Sequence, residues 1–153
     1  MRAITVLLLI ACLAGCADRA NRSPITASCL SAFAPSCGCT IVLPASACPH
    51  SGVHFFHELH QGAPLVFNFG NGDELAVSDE PKANYFLHGR GDSWLEQYTY
   101  HGGVIEIHYS PGASTCAKVE HGEECEYFDV NAEVIVSAPS GHTRFAGAGR
   151  CGC

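Results

Sequence analysis

The sequence is poor in positive charge: eight Lys and Arg stand against 15 Asp and Glu. A chain of that balance lacks the basic surface that phosphate backbones demand, so nucleic acid is excluded as a partner. After the first 15 residues there is no second long apolar run, and a membrane-spanning helix needs roughly 20 such residues. No Gly-x-Ser-x-Gly elbow and no phosphate-cradling glycine loop occurs, and the scattered Ser, His and Asp residues have no triad spacing. The chain is therefore read as non-enzymatic. Heptads and internal repeats are also missing.

What is present begins at the N-terminus. Met1-Arg2 is followed by an uncharged stretch, Ala3 to Ala14, then Gly15-Cys16. A positive start, a short apolar core and a small residue before the cut describe an export signal over residues 1–15. Leu13-Ala14-Gly15-Cys16 resembles the lipobox of bacterial lipoproteins. That resemblance covers the signal only. It implies cleavage before Cys16, a diacylglycerol thioether on its sulfur and a further acyl chain such as palmitate on the new amino group. Ala17 rather than Asp follows Cys16, which by the same resemblance implies the outer membrane in a Gram-negative host. Two or more acyl chains give stable anchoring where one gives marginal binding. Loss of Arg2 leaves seven basic residues against 15 acidic ones, a formal charge of −8. Acyl chains, not electrostatics, would then hold the chain to the cell envelope.

Residues 16–28 are polar around Asn21, Arg22, Ser23 and Pro24 and read as a flexible tether. Residues 29–153 have the length of one domain. Of ten cysteines, Cys12 lies in the signal and Cys16 is taken by lipid. Cys29, Cys37, Cys39, Cys48, Cys116, Cys125, Cys151 and Cys153 remain as disulfide candidates, since an exported chain meets an oxidising compartment. Sequence alone cannot choose among 105 pairings. Cys37-Gly38-Cys39 and Cys151-Gly152-Cys153 each place two thiols on one face of an extended chain. If the two ends run antiparallel, adjacent cross-links staple them together, a Cys116–Cys125 bridge closes a short loop, and Cys29 is left for Cys48. The rival reading, a tetrathiolate metal cage from the two Cys-x-Cys pairs, is disfavoured outside the reducing cytoplasm.

The strand signals are short and regularly spaced. Leu65–Phe69 and Glu74–Ser78 flank Gly70-Asn71-Gly72-Asp73 as a hairpin. Asn84–His88 and Ser93–Tyr100 flank Gly89-Arg90-Gly91-Asp92 as a second. Thr40–Leu43 and Val104–Tyr109 are further strands. Over Tyr127–Ser137, Phe128, Val130, Ala132, Val134 and Val136 alternate with polar residues, and Thr143–Ala146 pairs back on this strand. These features predict a mainly β domain, a small antiparallel sandwich or barrel stapled by disulfides. Val53–Gln61 is ambiguous. As a helix it runs from a Ser51 cap to a Gly62 stop; as a strand it puts Val53, Phe55, His57 and Leu59 on one face. The helix is preferred.

That segment also carries the candidate metal ligands. On a helix His54/His57 and His57/His60 are three apart, close enough to share Cu or Zn, with Glu58 and His121 as further ligands. The plainer reading makes them solvated polar residues, and the spacing falls one residue short of a metalloprotease helix. Trp94, Tyr98 and Tyr100 share one strand parity, as a platform for a ligand or, more commonly, as sheet packing. The expected role is non-catalytic: binding an unidentified protein or small ligand, or structural service in the envelope. Transition-metal binding through residues 50–60 is the alternative.

Overall fold

The computed structural model describes residues 25–31, 37–44, 48, 52–60, 62–78, 93–113, 127–139 and 141–152. The signal, Cys16, the 84–88 arm of the second expected hairpin, Cys116, Cys125, His121 and Cys153 lie outside them. No helix of the described residues is long and apolar enough to cross a membrane.

The described residues form eight strands: β1 (Gly38–Val42), β2 (Phe55–Glu58), β3 (Leu65–Phe67), β4 (Glu74–Ala76), β5 (Trp94–Tyr100), β6 (Gly103–Pro111), β7 (Tyr127–Ala138) and β8 (Gly141–Gly152). Their order, β4-β3-β2-β1-β8-β7-β6-β5, is two antiparallel meanders joined where the first strand meets the last. Val77, just past β4, pairs with Thr99 of β5 through two hydrogen bonds of 2.8 and 2.7 Å. The sheet is thereby almost closed on itself, and a nearly closed barrel leaves little unpaired edge.

The alternation in β7 behaves as its sequence requires. Val130, Ala132, Val134 and Val136 are buried inside the barrel. Ile105 and Ile107 of β6 lie beside them, and Ile41, Phe55, Leu65 and Phe67 fill the other half. β8 extends to Gly152, well past the expected Thr143–Ala146, because its inward positions include Gly147 and Gly149. A Cβ at Gly149 would fall on the Thr40 carbonyl oxygen, and one at Gly147 would lie 2.8 Å from that of Val42. The missing side chains let β8 approach β1 at a tight barrel wall.

Val53–Gln61 is a correction to the sequence reading: Phe55–Glu58 is strand β2, hydrogen-bonded between β1 and β3, and no helix forms there. Phe55 and His57 point into the barrel, while Phe56 points outward. Phe56 is covered by Leu30 and Val53 in a second small cluster. Burial on both faces explains the continuous apolar run that resembles a helix turn. Gly52 and Gly62 adopt φ of 68° and 77°, so they turn the chain into and out of the strand.

The cover comes from residues 25–31. Ser28 N donates to the Asn68 carbonyl (2.8 Å) and Leu30 N to that of Val53 (3.0 Å). Ser31 N–H and hydroxyl both donate to Asp73, at 2.9 and 2.7 Å. Packed structure begins by Ile25, ahead of the Cys29 boundary read from composition.

Two disulfides lie among the described residues. Cys39 and Cys151 sit directly opposite each other on β1 and β8, with Cα atoms 4.0 Å apart. Cys29 and Cys48 are bridged outside the strands, and Cys37 is also disulfide-bonded. A bridged Cys39–Cys151 pair leaves no thiolates there for a tetrathiolate cage.

Candidate functional site

Polar side chains meet inside the barrel, a place that burial makes costly unless every group is paired. Glu96, inward on β5, carries the centre of this network. Its Oε2 accepts from the Tyr98 hydroxyl at 2.6 Å and lies 3.0 Å from His57 Nε2; its Oε1 accepts from Trp94 Nε1 at 3.3 Å. His57 Nε2 is also 3.0 Å from the Tyr109 hydroxyl. Trp94 stacks on Tyr109 with ring centroids 4.5 Å apart and meets Phe128 edge to face. His57, Tyr98 and Tyr109 are essentially inaccessible. Among the described residues no buried side-chain polar atom lacks a partner. Each Glu96 oxygen thus has a polar partner, as a buried carboxyl group requires. This arrangement packs and orients the interior.

Sequence reading did not pick out Glu96. Its parity was the available signal: it lies between Trp94 and Tyr98 on the alternation that already linked Trp94, Tyr98 and Tyr100. All of these face inward, where Tyr100 packs against Phe67 at 5.1 Å.

His54, His57 and His60 are not brought together. His57 points into the barrel. His60 is exposed and pairs with Glu58 at 2.9 Å. His54 is buried beside the Cys29–Cys48 disulfide, with Cys48 Sγ 3.4 Å from its Nε2 and 3.6 Å from its Nδ1. On a strand, residues three apart point to opposite faces, so the helical spacing that would gather these imidazoles is lost. Among the described residues, the one trio with metal-ligand character is Cys29, Cys48 and His54. Its two sulfurs are bonded to each other, and Leu43 N donates to His54 Nδ1 at 3.2 Å. Burial holds the His54 imidazole below its ordinary pKa, so the ring is neutral at pH 7. With Nδ1 accepting, its proton is on Nε2.

Among the described residues a cleft opens at the barrel end formed by the β3–β4, β5–β6 and β7–β8 turns. It is a cleft of about 570 Å³, lined by Thr26, Asn71, Glu74, Tyr100 and His101, with Phe69 as an apolar wall. The Tyr100 hydroxyl titrates above its ordinary value, through burial and then through the nearby Glu74 charge. It therefore stays a neutral phenol able to donate and accept across the physiological range. Comparison with known proteins yields no match, whether to family models, to curated proteins or to solved structures.

Proposed function

We propose that the chain is an exported lipoprotein, held to the cell envelope by acyl chains on Cys16, whose barrel is a non-catalytic binding module. Its ligand site is the cleft at the barrel mouth. The observation that carries this reading is the contrast between the two ends of the polar chemistry. The interior network is closed and internally satisfied, whereas the mouth keeps Asn71, Glu74, Tyr100 and His101 around a space of small-molecule size. A partly apolar floor with a few convergent polar groups suits a small ligand that both stacks and hydrogen-bonds. Disulfide cross-linking agrees with an oxidising compartment.

Two measurements test the two halves. Metabolic labelling with an alkyne fatty acid should tag the wild-type chain and leave a Cys16→Ser variant unlabelled and unprocessed. Labelling of that variant, or its unchanged membrane fractionation, refutes the anchor. Native mass spectrometry of chain released from envelopes should show a small-molecule adduct that Tyr100→Ala loses. Absence of any adduct from the wild type would reduce the barrel to a structural role.

A further inference from the structure

We propose that the ligand of the mouth cleft is a small organic ammonium ion, seated between the Glu74 carboxylate and the Phe69 and Tyr100 rings. The inference rests on the reading of that cleft as a ligand site and names the chemistry it selects. Glu74 is half-buried on β4 and lines the cleft. Its carboxylate makes no hydrogen bond or ion pair with any described residue. Every other carboxylate among the described residues has such a partner. An unpaired, partly desolvated anion facing a cavity is the group a bound cation would satisfy.

The wall beside Glu74 is aromatic and fixed in place. Phe69 and Tyr100 have ring planes 68° apart and centroids 6.0 Å apart, so the wall turns a corner. Phe67 packs on both from the barrel interior, at 4.7 and 5.1 Å. A Cβ at Gly102 would lie 2.5 Å from the Tyr100 ring, so the β5–β6 turn closes directly on that ring because residue 102 has no side chain. Ring faces attract cations, and the Glu74 charge reaches the same corner. After burial, it is what raises the Tyr100 hydroxyl above its ordinary value. No Lys or Arg lines the cleft, and the chain carries a formal charge of −7. Anions are therefore repelled and cations steered in.

The donor set suits an organic cation rather than a metal ion. A hard metal cation takes about six or more oxygen ligands, whereas this corner offers one carboxylate. No trio of metal-ligating side chains gathers there among the described residues. A primary ammonium donates three hydrogen bonds. The Glu74 carboxylate, the Tyr100 hydroxyl and the Asn71 side-chain carbonyl are the acceptors that line the cleft for it. Ile25 and Pro139 give apolar surface for the body of the ligand, as small-molecule sites commonly do.

Isothermal titration of the full chain at neutral pH and low salt compares phenethylamine, a cation, with phenethyl alcohol, its neutral counterpart. The amine should bind roughly tenfold tighter, the scale of a cation–π contact joined to one ion pair. Glu74→Gln should abolish that preference, leave the alcohol's affinity unchanged and melt like the wild type. Tyr100→Leu, apolar but without a π face, should weaken the amine several-fold and spare the alcohol. Equal binding of the two probes to the wild type overturns the ammonium assignment but leaves the mouth a ligand site. Amine binding that survives both substitutions overturns it as well, since the cation then sits elsewhere. The assignment also fails if neither probe binds at millimolar concentration, and the native adduct and its loss in Tyr100→Ala then judge the mouth alone.

Discussion

The His57 Nε2 and the Glu96 Oε2 lie 3.0 Å apart inside the barrel, one on β2 and the other on β5. The two strands are on opposite arms of the sheet, so the pair spans the interior and ties the two meanders together. A buried pair of this kind is costly to break from one side, because the surviving group keeps its desolvation without its partner. Glu96→Leu also strands the donors of Tyr98 and Trp94. It should destabilise by about 3–5 kcal/mol, with His57→Leu costing less, because Glu96 keeps two donors. Urea unfolding of the two variants checks the order. Equal or reversed losses would show that the carboxylate is not the hub.

The Cys39–Cys151 bridge spans 112 residues and the Cys29–Cys48 bridge 19. On the chain-entropy account the longer loop stabilises more, about 4–5 kcal/mol against about 3. A Cys39→Ser/Cys151→Ser double variant should therefore melt lower than the Cys29→Ser/Cys48→Ser pair. Calorimetry under oxidising conditions reads the difference directly.

Acid should weaken the fold through His54. Its folded pKa is lowered by burial, so the unfolded chain binds the proton more readily than the folded one does. The stability gained from keeping the ring neutral is present above the unfolded value of 6.5. It is lost as pH falls from there through the depressed folded value. Denaturation midpoints recorded between pH 7.5 and pH 5 should fall, and His54→Phe should flatten the part of that slope due to this ring. An undiminished slope in the variant would assign the acid sensitivity elsewhere.

Gly149 marks where β8 presses on β1. Gly149→Ala drives a methyl into the Thr40 carbonyl and should cost about 1–3 kcal/mol, as overpacking does. Ala148→Gly, outward-facing at the neighbouring position, should cost about 1 kcal/mol or less, mainly through strand entropy. Thermal melts of the two single variants compare them; a harmless Gly149→Ala would mean the seam can spread.

The primary sequence was sufficient for the strand class, for the turn between Phe69 and Glu74 and for the inward face of β7. Those features are local: a two-residue alternation and a glycine turn are written in neighbouring positions. The staple between the two Cys-x-Cys pairs was conditional on the ends running antiparallel, and the pairing of β1 with β8 decided Cys39–Cys151. Tertiary structure alone decided that residues 55–58 are a strand. The apolar run Phe55-Phe56 fits a helix turn until β1, β3 and the 25–31 segment bury its two faces separately. That decision dispersed His54, His57 and His60, and it delivered His57 to a glutamate 39 positions away. A ligand set is a property of convergence in space. Spacing along the chain predicts it only when the secondary structure assumed is the one that packing selects.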